Sequence, residues 1–277
     1  MNESTIRRQG NMINIVVCIK QVIDPEIPPA YFEIDPEVKR AISPKGSPPM
    51  LNPFDENALE AALMIKNSIG AEVTAISMGR NLAKPVLRKT LAVGADKLIL
   101  LEDDAFDSFD SYKTAYVIAS AIRKKIGKCD LVLCGRQAAD TNGGQVGLGI
   151  AEILGIPGIT VARKIEVDDR EVIVERITSD GYEVIKASMP VLVTVSSEIG
   201  ELRFPSLVAI RAAQKKGISI WKTHDLKLDP TQSERTDFVK LFIPPVSRKI
   251  TCEMLEGVDA EEAGKKLALR LREAGVL

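Results

Sequence analysis

The first half of this chain alternates β-branched apolar runs with amphipathic helical stretches, and no other feature limits the fold as much. Ile13–Lys20 (INIVVCIK) reads as a buried central strand. Asn52, Pro53, Phe54 and Asp55 open the next helix, with Asn as N-cap, Pro in the first helical position and an acid at the third. Ala58, Leu59, Ala62, Leu63 and Ile65 supply its buried face. Glu72–Met78 is the second strand, ended by Gly79. Leu82–Val93 is a helix that tolerates Pro85 in its first turn, and Lys97–Leu101 is the third strand. Asp110–Ile126 is the next helix and Cys129–Cys134 the strand after it. This order predicts an α/β fold built on a doubly wound, mostly parallel sheet. Ligands bind such sheets beyond the carboxyl ends of the strands. That rule puts Cys18–Lys20, Met78–Gly79 and Gly135–Gln145 along one rim, with the Asn52 cap joining them.

The stretch Asp130–Gly147 (DLVLCGRQAADTNGGQVG) concentrates the polar chemistry. A buried strand runs into Gly135; a loop carrying Arg136, Gln137, Asp140, Thr141, Asn142 and Gln145 follows; a helical rhythm resumes at Val146 and Ile150. A strand, a small-residue loop and a helix start together make an anion site, because free N–H groups converge there and the helix dipole favours negative charge. Glycine content alone fits an ordinary βα turn equally well.

Composition excludes several classes. With 37 basic and 38 acidic residues and only 4% aromatics, the chain has neither the charge nor the stacking surface of a nucleic-acid binder. Cys18, Cys129, Cys134 and Cys252 lack metal-site spacing and read as thiols of a reducing compartment. MNESTIRRQGNM has no apolar core of a secretory signal, and no run of 18 apolar residues occurs, so a cytoplasmic location is expected. There is no dinucleotide fingerprint, P-loop or nucleophile elbow. The single histidine, His224, lies in a polar stretch and reads as solvated. The acid pairs Asp103–Asp104 and Asp168–Asp169 read as solvated turn residues. No catalytic residue and no metal ligand are assigned.

The segment from Gln21 to Leu51, rich in proline, reads as a long loop. After Ile165 the pattern changes: EVIVERIT and YEVIKAS flank Ser179-Asp180-Gly181, a hairpin signal. Met189–Ser196 is a further strand and Arg203–Lys216 an amphipathic helix. Beyond Trp221 the alternation ends. A polar tail with an apolar island at Phe238–Ile243 leads to a last helix, Ala260–Ala274, and cannot bury much against itself. The expected organisation is an extension over residues 1–12, an α/β domain over 13–225 and an arm over 226–277.

These residues resemble the β-subunit of electron-transfer flavoproteins along nearly the whole chain. CIKQVID is similar to the end of that family's first strand, and MLNPFDENALEAAL to its next helix start. GRQAADTNGGQVG matches the family's loop in length and in its Gly, Gln, Asp and second Gln. VERITSDGYEVIKASMPVLVTV and ELRFPSLVAIRAAQKK are similar to the segments on either side of its recognition loop.

The resemblance implies a Rossmann-like, adenine-nucleotide-hydrolase-like fold with a hairpin and an extended C-terminal arm that wraps an α-subunit. That subunit would carry the main redox FAD, while this one binds AMP. Carried over by position, the AMP pocket is Cys18, Asn52, Pro53, Phe54, Asp55, Met78, Gly135, Arg136, Gln137, Ala138, Ala139, Asp140, Thr141, Asn142, Gly143, Gly144, Gln145 and Val146. Lys20 and Arg136 offer charge there or form structural ion pairs. Ile199 falls on the anchor that docks acyl-CoA-type dehydrogenases, and electrons would leave toward a quinone-side oxidoreductase. Family members that bifurcate electrons hold a second FAD in the same pocket, which accepts hydride from NADH. The Gln145-Val146-Gly147 ending is like that type, whereas Ile23, standing where that type has proline, is not; AMP is the expectation. Two other readings remain open at this point: a stand-alone adenine-nucleotide sensor and an enzyme acting on its nucleotide. The uncovered sheet face and tail predict poor solubility for the isolated subunit.

Overall fold

The first apolar run forms strand β1 (Ile13–Cys18), which lies between neighbours that enter the sheet from opposite directions in the chain. A computed structural model describes residues 12–44, 46–106, 110–232, 234–237, 239–244 and 252–277. The extension expected over residues 1–12 therefore lies, except for Met12, outside the described residues, and so does Phe238. By internal contacts the chain divides into a large unit, Met1–Lys240, and a small one, Leu241–Leu277.

The proline-rich segment after β1 is more ordered than a loop. Four short strands, β2 (Gln21–Val22), β3 (Glu33–Asp35), β4 (Arg40–Ile42) and β5 (Met50–Leu51), pair antiparallel as β2 with β5 and β3 with β4. The β2–β5 pair returns the chain to the end of β1, where helix α1 (Pro53–Ile69) begins. Strand β6 (Ala71–Gly79) follows. The helix expected over Leu82–Val93 is two pieces, α2 (Lys84–Leu87) and α3 (Lys89–Val93), joined at Arg88. Strand β7 (Lys97–Glu102) leads to α4 (Ser111–Ala121), which continues into a π-helical turn at Ile122–Ile126. Strand β8 (Leu131–Gly135) and helix α5 (Val146–Leu154) bracket the polar loop.

The second half holds β9 (Gly158–Asp168), β10 (Glu171–Thr178), β11 (Gly181–Ser188) and β12 (Val191–Val195). The expected hairpin is β10–β11, with Thr178 opposite Gly181. Strand β9, which periodicity did not single out, pairs antiparallel with β10 and parallel with β12. Helix α6 (Leu207–Lys215) starts later than Arg203 because Pro205 precedes it and Ser206 caps it, the Ser206 hydroxyl accepting the Ala209 N–H. Arg203 instead reaches back to α1, where its backbone N–H and guanidinium both donate to Glu60. Arg88 donates to the carbonyls of Ala213, Gln214 and Lys216 and so satisfies the end of α6. Strand β13 (Ser219–Trp221) and the short α7 (Thr223–Leu226) follow.

The nine-stranded sheet runs β11-β10-β9-β12-β8-β1-β6-β7-β13, parallel from β9 to β13. Side chains of β1 alternate between its faces. Ile15 and Val17 join the core under α1 and α3, and Val16 and Cys18 join the core under α4 and α5. Both faces of β8 and β12 are buried, as expected of central parallel strands.

Asp229, Arg235 and Thr236 reach back to α4 and its cap. The Tyr116 hydroxyl accepts the Asp229 N–H, and Asp110 accepts from Arg235 and Thr236 while capping α4. In the small unit, Asp259 caps α8 (Ala260–Glu273) by accepting the Glu262 N–H, the Glu262 carboxylate accepts the Val258 N–H, and the helix has no buried residue.

Candidate functional site

The topology creates one switch point. From β1 the chain proceeds to β6 and β7 on one side, and it later fills β8, β12 and β9 on the other. The crevice beyond the carboxyl ends of β1 and β8 is thus where such a sheet admits a ligand. The rim residues singled out from sequence meet there.

Asn52 occupies the N-cap position of α1 but does not cap it through its side chain. Its Nδ2 donates to the Gln137 carbonyl at 2.8 Å, and its Oδ1 accepts the Ala139 N–H at 3.0 Å. Its own N–H donates to the Lys20 carbonyl at 2.8 Å. One amide thus pins the polar loop to the exit of β1. Pro53 provides the first helical residue with no N–H to satisfy.

Asp55, in the first turn of α1, is buried. Its Oδ2 accepts the Lys20 N–H at 2.7 Å and its Oδ1 the Gly135 N–H at 3.1 Å. Burial pushes its carboxyl up to about 7; the Lys20 N–H, the Asn52 amide, the Gly135 N–H and the Lys20 charge pull the other way. Gly135 has no room for a side chain, since a Cβ there would lie 2.5 Å from Asp55 Oδ1 and 2.6 Å from the backbone carbon of Phe54.

Lys20 is an ion-pair partner, its Nζ 2.7 Å from Asp140. Arg136 has a different environment. Its guanidinium lies 4.7 Å from the centroid of the Phe54 ring, and its Nε is buried with no hydrogen-bond partner among the described residues. Its N–H donates to the Val195 carbonyl, tying the loop's first residue to β12. Gln137 donates to Asn142 Oδ1 at 2.9 Å, and the Asn142 N–H donates to the Ala138 carbonyl. Asn142 and Gly144 both take positive φ, so the backbone reverses twice before the helix. Asp140, Thr141, Asn142, Gly143, Gly144 and Gln145 are exposed, whereas Val146 is half-buried. Gln145 precedes α5 without a side-chain cap, and the first-turn N–H groups of a helix have no partner within it. Gly147 lets that turn close on β8 and β12: a Cβ there would meet Thr194 at 3.0 Å.

Cys18 ends β1 with its thiol in the core beside Cys134, and that neighbour followed by burial raises its pKa; only its backbone faces the rim. Met78 is half-buried on the next strand and packs on the same core. Ile199 ends a 3-10 turn, Ser197–Ile199, held by the Asn57 amide donating to the Gly200 carbonyl at 2.7 Å. Its side chain packs half-buried against the core. Three large apolar residues that sequence reasoning did not single out stand near it in the chain: Phe204 is 93%, Leu207 76% and Val208 77% exposed. Leu207 and Val208 fall within the amphipathic pattern that the sequence shows over Arg203–Lys216, and Phe204 lies at its start. Among the described residues no acid, histidine and cysteine cluster could hold a metal ion, and no helix is long and apolar enough to cross a membrane.

The electron transfer flavoprotein domain matches residues 42–226, from β4 to α7, and encloses most of this crevice. The electron transfer flavoprotein subunit beta of Thermoanaerobacterium thermosaccharolyticum is 44% identical over 221 residues, covering 79% of this chain and 82% of the relative. The chain belongs to the electron transfer flavoprotein β-subunit family. Within the family, subunit CarD of the caffeyl-CoA reductase-Etf complex of Acetobacterium woodii is 39% identical over 270 residues, 96% of this chain and 100% of the relative. Protein FixA of Azorhizobium caulinodans is 38% identical over 220 residues, 77% of this chain and 76% of the relative.

Proposed function

We propose that this chain is the β-subunit of a heterodimeric electron-transfer flavoprotein and holds AMP in the switch-point crevice. The observation that carries this reading is the uncapped first turn of α5 behind the exposed Asp140–Gln145 loop, with the loop pinned to β1 by Asn52 and Lys20. Free N–H groups and a helix dipole there suit a phosphate. In this cytoplasmic complex, electrons pass from acyl-CoA-type dehydrogenases, through the FAD of the αβ heterodimer, to a quinone-linked acceptor. The dehydrogenase docks on the exposed Phe204, Leu207 and Val208, close in the chain to Ile199, whose side chain packs half-buried against the core. The small unit, whose α8 buries nothing of its own, forms the arm around the α-subunit.

A second reading has one observation in its favour. The match to the subunit of the caffeyl-CoA reductase-Etf complex spans that relative completely and includes the proline-rich segment. In this reading the crevice holds a second FAD that accepts hydride from NADH. Acid release of the nucleotides from the co-expressed αβ complex separates the two. One FAD and one AMP per heterodimer support the carrier; two FAD and no AMP support the second reading; FAD in the α-subunit alone removes the nucleotide site from this chain.

A further inference from the structure

Asp55 falls within the segment expected to touch the nucleotide, but its side chain is committed elsewhere. Both oxygens accept backbone N–H groups, one at the exit of β1 and one at the last residue of β8. These strands are neighbours, and the crevice opens between their ends. The first turn of α1 presses so closely on Gly135 that no Cβ fits between them. A carboxyl group in this place holds three elements in contact and makes a poor partner for a phosphate.

We infer that Asp55 is a positioning residue, a proton-linked clamp that joins the first turn of α1 to the ends of β1 and β8 and thereby sets the crevice for its nucleotide. This rests on the nucleotide reading above. The groups around the clamp are Lys20 and the Cys18 thiol from β1 and its exit, the Cys134 thiol of β8 beside Cys18, Asp140 from the loop, paired with Lys20, and Arg136, which lies over the neighbouring Phe54 ring. On α1 itself, Glu56 is paired with Lys89. The Lys20 charge favours an ionised Asp55, and burial outweighs it, pushing the carboxyl up to about 7.

The sign follows from linkage. The closed clamp binds a proton more tightly than an opened, hydrated Asp55, so a rise in pH through about 7 favours opening. An anionic nucleotide in the crevice likewise prefers the neutral acid. Both effects act in one direction, and nucleotide affinity falls as pH rises.

The test uses the full αβ complex with AMP as the probe. AMP affinity and hydrogen-exchange protection of the Lys20 and Gly135 amides are measured from pH 6 to 8.5 in the unaltered complex and in Asp55→Asn. The expected result is an affinity that falls above neutrality by up to about tenfold per pH unit in the unaltered complex. In the variant the fall is absent, and binding at pH 6 is weaker by roughly tenfold, because the amide presents a donor to one of the two N–H groups. Identical pH profiles in both proteins would overturn the clamp while leaving the nucleotide site intact. An unaltered complex that binds neither AMP nor FAD in this chain defeats the site reading instead. The clamp is then judged on amide protection alone, which must fall above about pH 7. The same protection series decides the matter if Asp55→Asn does not accumulate.

Discussion

The Lys20 ammonium lies 2.7 Å from the Asp140 carboxylate and bridges the exit of β1 to the polar loop that follows β8. Sequence alone left open whether Lys20 offers its charge to a ligand. In the structure that charge is shared with Asp140, so Lys20 ties the polar loop to the exit of β1. Both side chains are partly exposed, and solvent screens the pair.

Lys20→Met and Asp140→Asn should therefore each lower unfolding free energy by less than about 1 kcal/mol. Their effect should fall on the loop, as faster release of bound nucleotide. A double-mutant cycle in denaturant, combined with release kinetics, checks both parts. A coupling energy of several kcal/mol would mean that the pair supports the fold.

Two glycines of the same loop region should behave differently. Gly135→Ala places a methyl against Asp55 and the Phe54 backbone and should cost at least about 1–3 kcal/mol, with loss of the nucleotide. Gly143→Ala meets nothing within 4 Å and needs no positive φ, so it should change stability by less than about 0.5 kcal/mol. Thermal melts of the two variants side by side decide it.

Asp55 also makes a prediction for stability against pH. Its folded-state pKa, about 7, lies above the ordinary carboxyl value of 3.8, so its contribution is complete below the lower value and is lost as pH rises through the upper one. Relative to Asp55→Asn, the unaltered chain should lose on the order of a few kcal/mol between pH 4 and pH 8. Urea unfolding of both proteins across that range gives the difference directly. A constant difference would show that the carboxyl does not titrate in this window.

The exposed apolar residues proposed for docking can be separated from the packed Ile199. Leu207→Ser and Val208→Ser remove exposed apolar groups and should leave stability within about 0.5 kcal/mol while weakening electron transfer from the dehydrogenase. Ile199→Ala should destabilise the chain by about 1 kcal/mol or more, because that side chain is packed on the core. Steady-state transfer rates and melting temperatures, read together, distinguish the roles.

Much of this molecule was legible before its tertiary structure. Apolar runs at Ile13, Glu72, Lys97 and Cys129 located the central strands to within a residue or two, because burial on both faces leaves a continuous apolar signature. Ser179-Asp180-Gly181 marked the hairpin turn through local backbone chemistry. Strand β9 escaped because it leaves the parallel core partway and its outer half alternates between half-buried and exposed residues. The ribbon within Gln21–Leu51 escaped because two- and three-residue strands have no periodicity to read.

The sequence by itself determined the order of the central strands along the chain, the hairpin and the place of the polar loop between a buried strand and a helix. Each is a local property of residue type and spacing. Tertiary structure alone decided which of those polar residues would be free. Asp55 meets partners 35 and 80 residues away, and Lys20 meets one 120 residues away. A hydrogen bond has one geometry and needs its partner within about 3 Å, so a side chain's role follows from what packing brings beside it. Periodicity shows which face is buried; it does not show what that face meets.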